Sequence, residues 1–169
     1  MTNRWIRLLK HRGFDERDAK RVLEPAALQR IEARVAASEL HHRGEIRVCV
    51  EAGLPLSYLR RNANVRERAV AMFGKLHVWD TEQNSGVLIY LLLAENAIEI
   101  VADRGLNQHV DTAQWQRILG TMRTAFQTGQ FEAGLNQAIA AVDVLLRQHF
   151  ALAPGETNPN ELPNAPYVR

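Results

Sequence analysis

The chain has 169 residues, 46% of them hydrophobic, enough for one sizeable core and a single-domain reading. Its formal charge of +2 is small but uneven: Arg4, Arg7, Lys10 and Arg12 open the chain without an acid, and residues 59–75 hold five cations against Glu67 alone. One cysteine, Cys49, excludes an intramolecular disulfide framework, no stretch approaches the roughly 20 apolar residues of a membrane span, and the N-terminus lacks a signal-peptide core. A soluble cytoplasmic protein is the expectation.

Residues 1–24 form a basic segment, weakly periodic, that reads as a short helix packed by Trp5 and Leu9 or as an interfacial one. Pro25 suits the first turn of the next helix, which runs to about Leu40 with Leu28, Ile31 and Val35 on one face. Gly44 breaks it. Ile46, Val48 and Val50 then alternate with Arg47, Cys49 and Glu51, the period of a strand with one face more buried than the other.

From Ser57 the helical period returns, with Val65, Ala69, Met72 and Leu76 as its apolar stripe and Arg61, Asn64, Arg68 and Lys75 on another face. Val87 to Leu93 is an unbroken apolar run, the pattern of a strand covered on both faces. Glu95-Asn96 turns the chain, and Ala97 to Ala102 returns as the second arm of a hairpin. Strand, helix and buried strand make a right-handed crossover with parallel strands; the hairpin adds an antiparallel one, so the sheet is mixed.

Two strongly patterned helices follow. The first is capped by Asp111 or Thr112 and carries Trp115, Ile118, Leu119, Met122 and Phe126; the second carries Phe131, Leu135, Ala138, Ile139, Val142, Leu146 and Phe150. Hiding these faces and a two-sided strand requires a three-layer α/β/α sandwich spanning residues 25–150. The tail, 151–169, with Pro154, Pro159, Pro163 and Pro166, is expected to be disordered.

This topology brings the start of the first strand, the start of the second and the end of the third to one edge. Glu45, Asp80, Asn84 and Asp103 lie there, with Glu39 a short loop away. Clustered carboxylates raise one another's pKa unless a cation joins them, and carboxylate and amide oxygens suit calcium or magnesium. Two readings stay open: a hard-cation site, or cap, turn and rim residues solvated separately.

Asp80-Thr81-Glu82-Gln83-Asn84 resembles the start of an EF-hand loop, but Ser85 replaces its glycine and Leu91 its bidentate glutamate. Cys49 has Pro55, not arginine, six residues on, and reads as an inert buried thiol; no other nucleophile or phosphate-loop motif occurs. His41 and His42 are adjacent, point apart and read as surface residues. Arg60, Arg61, Arg68 and Lys75 offer an alternative, anion or nucleic-acid binding, though no aromatic residues interleave with those cations, which disfavours single-strand recognition.

Gly44-Glu45-Ile46-Arg47-Val48 after a helix ending at Glu39, then NSGVLIYLLL, EIVADRGL and FQTGQFEAGLNQAI, resembles the TPM domain over residues 25–150. The resemblance implies an α/β/α sandwich. It also implies one of three roles: acid phosphatase, binding of calcium or another divalent ion, or accessory work in membrane-complex assembly. Shorter bacterial forms are often encoded beside LemA-type membrane proteins, so a protein partner at the membrane surface is implied. Glu39, Glu45, Asp80, Asn84 and Asp103 occupy the motif-bearing places for the ion, calcium favoured over magnesium. Catalytic residues are not assigned, and a weak phosphomonoesterase is the enzyme reading.

Overall fold

The computed structural model describes residues 4–169; the side chain of Trp5, expected to pack the first helix, lies outside that description. Helices α1 (Arg4–Arg12), α2 (Glu16–Val22) and α3 (Pro25–Glu39) lead into β1 (Glu45–Glu51). After α4 (Leu56–Arg60) and α5 (Val65–Lys75) comes β2 (Gly86–Leu92), a 3-10 turn at Leu93–Glu95, and β3 (Ala97–Ala102). The chain ends through α6 (Arg104–Asn107), α7 (Thr112–Gln127), α8 (Phe131–His149) and β4 (Tyr167–Val168).

The sheet order is β3-β2-β1-β4, with β2 parallel to β1 and antiparallel to β3. Period-two alternation divides its side chains between two cores. Ile46, Val48, Val50, Val87, Ile89 and Leu91 pack with α2, α3, α7 and α8, while Cys49, Leu88, Tyr90 and Leu92 pack with α4 and α5. The result is the expected α/β/α sandwich around a mixed sheet. Among the described residues no helix is long and apolar enough to cross a membrane.

Four expectations are corrected. β1 is buried on both faces, because its polar residues are paired inside rather than solvated. Arg68, placed by spacing on the face away from the apolar stripe with Arg61, Asn64 and Lys75, is 1% exposed; its Nε donates to Glu51 Oε2 at 2.7 Å, which also accepts the Tyr90 hydroxyl at 2.7 Å. The helix expected from Ser57 is two helices, because Asn62 adopts a left-handed φ of 54° and Asn64 starts a new cap with Glu67. The basic segment, over its described residues 4–24, is two helices rather than one, held to the main core by Ala19 and Leu23; Leu9 is 69% exposed and does not pack it down.

The tail is ordered, contrary to its composition. Tyr167 and Val168 pair in parallel with Cys49 and Val50, and Leu162 is 6% exposed inside the second core. Arg47 donates to the carbonyls of Pro163 and Ala165. A proline lacks a donor but keeps its carbonyl, and the buried arginine uses that of Pro163 together with that of Ala165.

Candidate functional site

Of the five residues singled out at the strand edge, four separate into two groups and Asp80 joins neither. Glu39, at the end of α3, is 4% exposed and accepts from the Ile46 amide through Oε1 at 2.9 Å. Glu45, wholly buried, accepts from the Leu162 amide through Oε2 at 3.1 Å. Their other oxygens, Glu39 Oε2 and Glu45 Oε1, are buried without a donor, as is Asn164 Oδ1 from the tail. Burial, helped by the nearby charge of Glu45, pushes Glu39 up to about 8, and burial also raises Glu45. At neutral pH Glu39 therefore holds a proton.

A hollow of about 250 Å³ opens beside Glu39, lined also by Ala36, Leu40, Asn158, Asn160 and Asn164. Asn158 fastens the tail over this corner by donating to the carbonyls of His42 (2.9 Å) and Gly44 (3.1 Å). Glu161 accepts from the Glu82 amide at 3.0 Å, tying the tail to the loop before β2. None of these tail residues was legible as part of the site; the one signal was Leu162, a large apolar side chain isolated among polar ones.

The second group centres on Asp103, which caps α6: its Oδ1 accepts from the Arg104 amide at 2.7 Å, and Oδ2 is buried without a donor. Arg104 Nε donates to Asn84 Oδ1 at 3.0 Å, so an arginine lies beside this pair of oxygen side chains. Asp80 is exposed and joins neither group through its side chain. Glu45, Gly86 and Asp103 lie level across the sheet, yet a Cβ at Gly86 would sit 1.9 Å from the Val78 carbonyl. That carbonyl fills the place between the two acids. Among the described residues no three histidines, cysteines or acids are grouped so as to hold a metal. A cation would therefore rest on two carboxylates and amide oxygens.

A polar network that the sequence reading missed lies between α3 and α8. His42, read as a surface residue, is fully buried: it lies three residues past the end of α3, bridged to Ala151, with Ser38 in hydrogen-bond reach of its ring. Ser38 Oγ lies 2.9 Å from His42 Nε2 and 2.7 Å from Asp143 Oδ1, His42 Nδ1 is 3.0 Å from the Gly44 carbonyl, and Asp143 Oδ2 accepts from Arg147 Nε at 2.8 Å. A nucleophilic triad places the histidine between serine and acid. Here the serine is in the middle, and its single proton is contested between His42 and Asp143. Burial drives His42 down to about 4, which keeps the ring neutral. Cys49 is buried, and burial pushes its thiol far up, as expected of an inert residue.

The basic helix keeps few of its charges for a ligand. Arg68 is buried on Glu51, Arg61 pairs with Glu67 at 2.5 Å, and Arg66 donates to the Ile100 carbonyl on the free edge of β3. An anion site on Arg60, Arg61, Arg68 and Lys75 therefore loses Arg68, whose guanidinium faces the core.

No curated protein matches this chain. Among solved structures it is similar to the BA42 protein of the psychrophilic bacterium Bizionia argentinensis, with 26% identity and a TM-score of 0.73, covering 86% of this chain and 94% of that one. It shares its fold with the N-terminal domain of a protein from P. gingivalis, at 19% identity and a TM-score of 0.61, covering 80% of this chain and 90% of that one. The family model described as TPM domain matches residues 17–145, and the chain belongs to that family.

Proposed function

We propose that this TPM domain binds a divalent cation, calcium in preference to magnesium, between Glu39 and Glu45, and acts through a protein partner rather than by turnover. The observation that supports it is the set of buried oxygens without donors, Glu39 Oε2, Glu45 Oε1 and Asn164 Oδ1. Buried acceptor oxygens left without a donor suit a proton or a hard cation. Calcium accepts irregular sets of six to eight oxygens, so two carboxylates, amide oxygens and water meet its needs better than the strict octahedron of magnesium.

The raised pKa of Glu39, about 8, makes the proton a competitor. Calcium binding should tighten as pH rises through that value. The test is thermal melting at a series of pH values with calcium, magnesium or manganese. A tenfold excess over Kd stabilises by about 1.4 kcal/mol, roughly 3–6 °C for a chain of this size. Calcium should give the largest shift, larger at pH 8.5 than at 6.5, and Glu45→Gln should abolish it. No shift with any of the three ions at any pH refutes the reading.

A further inference from the structure

α1 lies over the end of the sheet opposite Glu39 and Glu45, where β1 and β2 finish. It is fastened there by three residues on one face. His11 Nδ1 accepts from the Leu54 amide at 3.0 Å, so its proton sits on Nε2, which meets Glu95 Oε1 at 2.8 Å. Arg7 donates to the same Glu95 oxygen at 2.7 Å and to the Ala63 carbonyl at 2.9 Å. Leu8 packs against the second core.

With positions 7, 8 and 11 turned inward, helical spacing turns 6, 9 and 10 outward. Ile6 is 59% exposed and Leu9 69% exposed, and Lys10 and Arg12 are exposed beside them. α4 packs against α1 and adds Leu56, 47% exposed, with Arg60 and Arg61 at its end. Apolar side chains this exposed, rimmed by cations on a short amphipathic helix, mark an interaction surface rather than ordinary solvated residues. Lys10 and Arg12 are exposed at this end, while Glu45, Glu156 and Glu161 lie at the other, where Arg43 pairs with Glu156.

We propose that the outer face of α1, with the start of α4, docks on an anionic lipid surface. Ile6, Leu9 and Leu56 enter the headgroup layer, and Lys10 and Arg12 meet lipid phosphates. The acidic corner then points away from the anionic membrane, free for its own ligand. Binding of this kind is reversible, because three apolar side chains and a few charges fall far short of an anchor.

The test is co-sedimentation of the full chain with vesicles of phosphatidylcholine alone and of phosphatidylcholine mixed with phosphatidylglycerol. Binding is expected to the mixed vesicles only and to fall as salt is raised. Ile6→Asp with Leu9→Asp, both at exposed positions, should weaken it at least about tenfold. Lys10→Glu and Arg12→Glu should each weaken it by about fivefold or more, with melting temperature unchanged. Equal binding to both vesicle types, binding indifferent to these substitutions, or none to the anionic vesicles would overturn the proposal. So would a dimer that Leu9→Asp dissociates without any vesicle binding. The salt dependence of the unaltered chain keeps the test decisive should a variant fold poorly.

Discussion

Leu162→Ala probes whether the proline-rich tail is part of the folded domain. The side chain is 6% exposed and sits in the core shared with Cys49, Leu88 and Tyr90, so its truncation belongs with core leucines, at about 2–5 kcal/mol. The tail can also respond by detaching, which limits the loss to the free energy of its docking. A value near the lower end, about 2–3 kcal/mol, is therefore expected, a fall in melting temperature of roughly 4–12 °C. Ending the chain after Leu152 should lower it further. That cut also strips the Leu162 amide from Glu45 and the Pro163 and Ala165 carbonyls from Arg47, leaving two buried ionisable groups short of partners. Thermal unfolding of the three proteins, followed by circular dichroism, measures the effect. Melting temperatures within about a degree of one another would refute the docked tail.

Two further outcomes follow from buried charge. Glu51→Gln removes the carboxylate that holds Arg68 and should destabilise by about 3–5 kcal/mol, whereas replacing both Glu51 and Arg68 by methionine should recover much of that loss; equal losses would mean the pair is solvated. Glu39 is raised in the folded state, from an ordinary carboxylate value to about 8, so its protonated form favours folding. Its contribution is complete below about pH 4.5 and is lost as pH rises towards 8, and Glu39→Gln should flatten the decline of melting temperature across that window. A variant with the same pH profile as the unaltered chain would refute the assignment.

The placement of the site was half legible. Register alone puts Glu45 level with Gly86 and Asp103, and that followed from reading one parallel and one antiparallel pairing. What register does not contain is the Val78 carbonyl over Gly86, which keeps Glu45 and Asp103 apart, or Arg104 donating to Asn84. Nor does it contain the tail, whose Asn158 and Asn164 complete the corner at Glu39. These are contacts between loops, and loop paths follow from packing rather than from periodicity.

By itself the sequence determined the elements whose pattern repeats. Val87 to Leu93 reads as a two-sided strand because the run is apolar without a break, and β2, Gly86–Leu92, is buried at all seven positions with Leu93 already in the turn; α7 and α8 read as helices because their apolar residues recur every three or four positions. Tertiary structure decided the fate of every charged or proline-rich segment. Arg47 and Glu51 read as the less buried face of a strand, Arg68 as one of the cations on the polar face of a helix, and His42 as a surface residue beside His41. The three charged residues are buried because a partner distant in the chain meets their donors and acceptors, Tyr90 and Arg68 for Glu51 and the tail carbonyls for Arg47; His42 is met locally by Ser38 and Gly44, with Asp143 arriving from α8 behind Ser38. Periodicity reports how a segment divides itself between core and water. It carries no record of which distant group arrives to satisfy a buried charge, and on that arrival the candidate site depends.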